Sequence, residues 1–338
     1  MTIKDLARLS GYSLGTVSRV LNNQPNVSER ARSTILALAD SNGFRLNASA
    51  QSLKQQTSNA VLIEVKGTSN EMFATMVETL QSLFSQTEHS VIVDFLDEND
   101  NEVRRALQLC RERKPMGILF LGATNHNFLQ DFGKIQVPAV VVTNDASGLP
   151  FKNLSSVTTD DRRGASCAVE FLIRAGHRKI AILGGCREIS DTSAHRFDGC
   201  MDAFTRYGLS FDEERLYYPG RYSYESGYEG MRQILRHTPD ITAVFAMADV
   251  IAIGAMRALA DEGLRVPEDI SVIGYDGLKI GRFYTPKLST ISQSVELLAH
   301  RSFSLLLECM HKEQPARHLC VPFTLANRES VLQLSGEK

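Results

Sequence analysis

Residues 2–22 read Thr2-Ile3-Lys4-Asp5-Leu6-Ala7-Arg8-Leu9-Ser10-Gly11-Tyr12-Ser13-Leu14-Gly15-Thr16-Val17-Ser18-Arg19-Val20-Leu21-Asn22. Thr2 followed by Asp5 is a capping-box-like start, with a carboxylate favourable near a helix N-terminus. Ile3, Leu6 and Ala7, with Leu9 at the margin, give a short amphipathic helix. Gly11 ends it, because glycine takes the left-handed conformation cheaply. Ser13 is placed to cap a second helix in which Val17, Val20 and Leu21 share one face, and Asn22 and Asn23 break it. Ser28 caps a third helix, whose Ala31, Ile35, Leu38 and Ala39 face inward and whose stop is Asn42–Gly43. Three short helices, the first two joined by a tight glycine turn, predict a helix-turn-helix unit over residues 1–46.

In such a unit the second helix enters the DNA major groove. Its outward face carries Leu14, Gly15, Ser18 and Arg19. Arginine grips guanine with two hydrogen bonds, and an apolar side chain meets a thymine methyl. Thr16 and Ser28 are positioned to donate to phosphates. The plainer reading of the same residues is a small bundle with a solvated basic face. Charge favours DNA: residues 1–58 hold seven Lys and Arg against three Asp and Glu, a surplus of four. The whole chain has a net charge of −2, so the other 280 residues carry −6. A basic head on an acidic body assigns the polyanion to the head. Gly11-Tyr12-Ser13-Leu14-Gly15 also fits the G-x-S-x-G of hydrolases. That motif needs a strand before the serine, and here a helix precedes it.

Thr2 to Ala7, Ser13 and Thr16-Val17-Ser18-Arg19-Val20-Leu21-Asn22 resemble the head of the LacI/GalR family of bacterial transcriptional regulators. The resemblance continues through Asn47-Ala48-Ser49-Ala50-Gln51-Ser52-Leu53. Seven residues are too few for a stable isolated helix, so residues 47–58 are expected to form a hinge helix and linker that order on binding. The resemblance implies that this hinge pairs with its dimer partner in the minor groove and that Leu53 wedges into the central base step. Asn47, Ala50 and Lys54 would join Thr2, Ser13, Leu14, Gly15, Thr16, Ser18, Arg19, Asn22 and Ser28 in contact with DNA. The family usually has proline before the asparagine. Leu46 stands there, which leaves the turn less preset.

From Ala60 the pattern changes to short apolar runs: Val61–Val65, Val91–Phe95, Ile118–Leu121, Ala139–Val142, Ile180–Leu183, Ala243–Ala246 and Ile270–Ile273. Amphipathic helical stretches separate them, which argues for parallel sheets with helices on both faces. Residues 59–338 are too many for one such sheet and predict two similar lobes. Gly176 to Ala181, Asp249 to Gly263, Val266 to Asp276 and Pro286 to Ile291 also resemble the family. The implied body is α/β and two-lobed, like a periplasmic binding protein, with two Rossmann-like subdomains closing on a small effector. The first lobe is expected at about 59–158 plus 291–320, the second at about 159–290 plus 321–338.

The cleft is expected to use Asp276 to accept hydroxyl protons, Arg196 as a fork of donors, Gln293 at the crossover, and Tyr222 and Phe73 to stack on a ring. Each matches a position that contacts effector in the family. Asp249 is assigned to capping the helix that follows it. Two departures affect the ligand. Ala248 replaces a usual asparagine, and Thr143, followed by Asn144, replaces a usual carboxylate. They predict a less polar cleft. A sugar or sugar derivative is the first expectation, and a less hydroxylated metabolite the alternative.

Composition excludes several classes. Hydrophobic residues at 43% and charged residues at 22% are ordinary globular usage. The longest apolar run, Ile241 to Ala248, falls far short of the roughly 20 residues of a membrane span, and no secretory signal is evident. Six cysteines without a C-x-x-C pair read as reduced thiols of a cytoplasmic protein. Asp97-Glu98-Asn99-Asp100-Asn101-Glu102 mimics a calcium loop. It lacks the glycine at position six and has Gln108 at position twelve, so it reads as a solvated loop. His311, His318 and Cys320 lack metal-ligand spacing. There is no P-loop or dinucleotide fingerprint, so no cofactor is expected. The favoured function is a DNA-binding repressor controlled allosterically by a metabolite. The alternative is a cytosolic small-molecule binding protein without DNA readout, and an enzyme is a third, unsupported reading. The resemblance implies a homodimer on a pseudo-palindromic operator. Leu332 to Lys338 are too few for a tetramerising coiled coil.

Overall fold

The computed structural model describes residues 3–21, 27–42, 59–67, 70–311 and 314–334. The chain divides into two compact units, Met1–Ser58 and Asn59–Lys338.

In the first unit, α1 (Ile3–Ser10), α2 (Leu14–Leu21) and α3 (Glu29–Ser41) enclose a small core of Leu6, Val17, Val20, Ala31, Ile35 and Ala39. The turn after α1 places Gly11 at φ +72°. The Ser13 hydroxyl then accepts the Thr16 N–H at 3.2 Å, and Ser28 accepts the Ala31 N–H at 3.3 Å. These bonds satisfy amides that the helix starts leave orphaned. Leu9 does not join the core and is exposed.

The second unit holds two sheets. The first contains β1 (Ala60–Lys66), β2 (Ser90–Leu96), β3 (Gly117–Leu121), β4 (Ala139–Val142), β5 (Leu154–Thr159) and β11 (His318–Val321) in the order β11-β5-β4-β3-β1-β2, all parallel. The second contains β6 (Ile180–Gly185), β7 (Tyr217–Gly220), β8 (Ala243–Ala246), β9 (Ser271–Asp276), β10 (Ser289–Gln293) and β12 (Phe323–Ala326) in the order β12-β10-β9-β8-β6-β7. Only the β10–β12 pairing is antiparallel among them. The expected apolar runs lie in strands, except that Ile270 precedes β9, and β1, β3 and β4 are covered on both faces as parallel strands require.

The helices are α4 (Glu71–Phe84), α5 (Glu102–Arg113), α6 (Asn125–Asp131) and α12 (Val295–His311) around the first sheet. Around the second lie α7 (Asp161–Arg174), α8 (Asp191–Arg206), α9 (Glu213–Leu216), α10 (Tyr224–His237) and α11 (Asp249–Asp261). Helices α10 and α11 cross at glycine. A Cβ at Gly254 would lie 2.0 Å from the Tyr224 carbonyl oxygen, so only glycine permits that approach.

Three short crossovers link the lobes, at β5 to α7, β10 to α12 and β11 to β12. Strand β10 stays in the second sheet through Gln293, pairing with β9 and β12. The return crossover therefore falls at Ser294 rather than at the expected 291. Val321 pairs in the first sheet, one residue past the expected 320.

Candidate functional site

Each sheet has a topological switch point, between β1 and β3 in the first and between β6 and β8 in the second. Loops diverge there at the strand carboxyl ends and open a crevice. A cavity of about 610 Å³ is lined by the loops after β1, β2, β3 and β4 from one lobe and after β6, β7 and β9 from the other. That size is usual for a small-molecule site.

The floor is built on Asp276, the last residue of β9. It is buried and has φ +112°. Thr143, just past β4, has φ +78° and also lines the cavity. Left-handed backbone at a carboxylate and a β-branched residue is costly, and such strain gathers at ligand sites. Gln293 Nε2 donates to Asp276 Oδ1 at 2.9 Å, and Arg196 Nη2 lies 3.7 Å from the same oxygen. Among the described residues Oδ2 takes no hydrogen bond, and Asp276 lines the cavity. Burial pushes the Asp276 carboxyl up to about 6, against the pull of Arg196 and Gln293.

Arg196 is more committed than a free fork of donors. Its Nε donates to Asp161 Oδ1 at 2.8 Å and its Nη1 to the Met247 carbonyl. Its guanidinium lies 3.7 Å from the Tyr275 ring centroid. It spans Asp161 at the start of α7, the loop after β8, and Asp276.

Phe73, in the first turn of α4, forms part of the wall and packs against Gly122. Tyr222 forms another part, with its hydroxyl 2.8 Å from Ser193 Oγ and its ionisation pushed up by burial. Two expected contacts are corrected. Ala248 is fully buried as the N-cap of α11 and does not line the cavity. Gln293 stands behind Asp276 and orients it, also outside the lining. Asp249 does not cap α11. It is buried, and its carboxylate accepts from the Leu278 N–H at 2.6 Å and from Thr290 Oγ1 at 2.6 Å, tying β9 to β10.

Polar side chains also line the cleft. Asn70, Asn144, Ser190 and Thr192 line it from loop and helix-cap positions. Lys66 and Thr124 line it through a buried network. Lys66 Nζ donates to Glu102 Oε2 at 2.8 Å and Thr124 N to Glu102 Oε1 at 2.6 Å. Asp97, Glu98 and Arg221 close the rim. Strand periodicity could not find these residues. The local signal was polar caps just beyond apolar strands.

On the head, Ser13, Leu14, Gly15 and Arg19 form an exposed face of α2, with Val17 and Val20 buried behind it. Thr16 and Ser18 are half-buried, and Thr16 Oγ1 lies 2.9 Å from Ser13 Oγ. Ser28 is exposed apart from its cap bond. Thr2, Asn22, Asn47, Ala50, Leu53 and Lys54 lie outside the described residues. Among the described residues no group of three His, Cys, Asp or Glu is placed to hold a metal, and no helix is long and apolar enough to cross a membrane.

The model for bacterial regulatory proteins of the lacI family matches residues 2–47, and that for a periplasmic binding protein-like domain matches residues 169–331. The HTH-type transcriptional regulator MalR of Clostridium butyricum is 32% identical over 342 residues, covering 99% of this chain and 100% of that protein. A lac repressor dimer bound to operator and the anti-inducer ONPF matches with a TM-score of 0.77 at 27% identity, over 98% of this chain and 99% of that one. A complex of the transcriptional regulator CelR with cellobiose matches with a TM-score of 0.73 at 27% identity and the same coverage. These relatives are transcriptional regulators and not enzymes. Identity of 32% from end to end, to a regulator matched along its whole length, places this chain in the lacI family of bacterial regulatory proteins.

Proposed function

We propose that this chain is a cytoplasmic repressor that binds a pseudo-palindromic DNA operator as a homodimer and whose operator affinity is set by an uncharged, polyhydroxylated effector. The α2 face supplies the readout, with Arg19 for a guanine edge and Leu14 for a thymine methyl. Thr16 and Ser28 serve the phosphates, and the hinge around Leu53 serves the minor groove. The operator-bound dimer among its structural relatives supports the assembly. The cellobiose complex supports the effector class.

The observation that carries the effector reading is charge compensation. Arg196 is paired with Asp161 and Asp276, Lys66 with Glu102, and Arg221 with Asp97 and Glu98. An anionic ligand would meet no uncommitted cation among the described lining residues. Hydroxyl groups would meet Asp276 Oδ2, the amides of Asn70 and Asn144, and two aromatic walls. Closing the lobes on such a ligand would reset the hinge, and the coupling must be reciprocal.

The test begins with duplexes that the full-length protein selects from a random pool. Their binding is followed by fluorescence anisotropy against a panel of neutral sugars, uronates and sugar phosphates. A neutral sugar should change operator affinity. A response confined to the phosphates or uronates would refute the effector class, and failure to select any sequence would refute the DNA reading.

A further inference from the structure

The acidic stretch after β2 is largely exposed, as expected of a solvated loop, and it carries internal hydrogen bonds. Asp97 Oδ1 accepts the Asn99 N–H at 3.1 Å, and Asp100 Oδ2 accepts the Asp97 N–H at 3.2 Å, so the turn is folded on itself. It presents two carboxylates to the other lobe. Arg221, just past β7, reaches across the mouth. Its Nη2 donates to both Asp97 oxygens at 2.9 and 2.8 Å, and its Nε donates to Glu98. Beside this contact, Tyr224 Oη donates to Glu71 Oε1, also from one lobe to the other.

Topology gives the contact its importance. β2 and β7 are the edge strands at one side of their sheets. The three crossovers leave from β5, β10 and β11, at the opposite side. Any hinge opening about the crossovers therefore moves the β2 and β7 ends farthest. A second set of bonds reports the lobe separation independently. The Asn125 N–H donates to Asp191 Oδ2 at 2.7 Å, and Thr192 Oγ1 donates to Asn144 Oδ1 at 2.7 Å.

We propose that Arg221, Asp97 and Glu98 form an ionic clasp across the cavity mouth that sets how far the lobes close. Arg221 is a positioning residue: its neighbour Tyr222 is a wall of the cavity, so engaging the clasp also places that ring. An isolated exposed ion pair does little. Here one guanidinium meets two carboxylates at the long end of the lever, where a small bias acts on the whole closing motion. The proposal rests on the reading of this cavity as the effector site, but its test needs neither effector nor DNA.

The experiment is hydrogen exchange of the full-length protein alone, read by mass spectrometry. Wild type, Arg221→Ala, the double variant Asp97→Asn with Glu98→Gln, and the charge swap Arg221→Glu with Asp97→Arg are compared at low and high salt. The amide to watch is Asn125, which bonds across the lobes but touches none of the substituted residues. Its exchange should rise a few-fold in Arg221→Ala and in the double variant. High salt should raise it in wild type, and the charge swap should restore protection. Circular dichroism identical to wild type excludes unfolding as the cause. If exchange rises only in residues 96–101 and 219–223 while Asn125 keeps its protection in both variants, the contact is local and the clasp is refuted. That result would leave the regulatory reading untouched.

Discussion

Replacing Arg196 by methionine tests whether this residue holds the cavity floor together or merely waits for a ligand. Methionine keeps much of the stem and removes the charge. The guanidinium is buried and serves Asp161, the Met247 carbonyl and Asp276 at once, with Tyr275 beneath it. Its loss leaves two carboxylates in the interior without their cation. Removing one partner of a buried pair costs about 3–5 kcal/mol. At roughly 2–4 °C per kcal/mol for a large domain, the unfolding midpoint should fall by roughly 6–20 °C. Asp276, already up at about 6, should move further up, because Arg196 is the charge that lowers it. Arg196→Lys should fall between, since an ammonium cannot serve three directions. The assay is thermal unfolding at pH 7 without effector, followed by circular dichroism. A midpoint for Arg196→Met within roughly a degree or two of wild type would show that Arg196 does not hold the floor together and return it to the role of a ligand fork.

Glu64 is buried in β1, neither carboxylate oxygen has a hydrogen-bond partner among the described residues, and burial pushes its carboxyl up to about 9. A raised carboxyl keeps its proton in the folded state while the unfolded chain loses it, so stability falls as pH rises from about 4.5 towards 9. Glu64→Gln should match wild type in urea unfolding at pH 4.5 and exceed it at pH 8, and an equal difference at both would contradict this. Arg19→Ala should weaken specific DNA binding by about 1–3 kcal/mol and relax preference at one base pair; uniform weakening across sequences, measured by anisotropy, would make Arg19 a phosphate contact. Leu53→Ala should lower operator affinity while salt-dependent non-specific binding survives, and Leu46→Pro should raise it by restricting the unbound hinge. Loss of sugar binding in Leu53→Ala by calorimetry would move the domain boundary.

The fold was legible wherever residues faced a dry interior. Val61–Val65 and Ile118–Leu121 stand out because strands buried on both faces read as unbroken apolar runs. Strands β5 and β10 did not, because Ser155, Ser156, Ser289 and Thr290 turn hydroxyls into the interior, where partners distant in sequence satisfy them. The head was legible down to its caps, since Ser13 and Ser28 act within four residues of themselves. Asp249 was misread for the same reason: an acid opening an apolar helix imitates a cap, and its true partners lie 29 and 41 residues away. The resemblance pointed to Asp276, Phe73 and Tyr222, which line the cavity, and to Gln293, which stands behind Asp276. The rim pairing of Arg221 with Asp97 joins residues 124 positions apart and leaves no trace in local pattern.

An effector-controlled regulator must couple its cavity energetically to its DNA face. The direct measurement is a pair of titrations on the full-length chain. Operator affinity is measured by anisotropy with and without a saturating neutral sugar, and sugar affinity by calorimetry with and without operator. The two ratios should agree, at roughly 5–150-fold, as reciprocal coupling requires. A sugar that binds the cavity yet leaves operator affinity unchanged would contradict it.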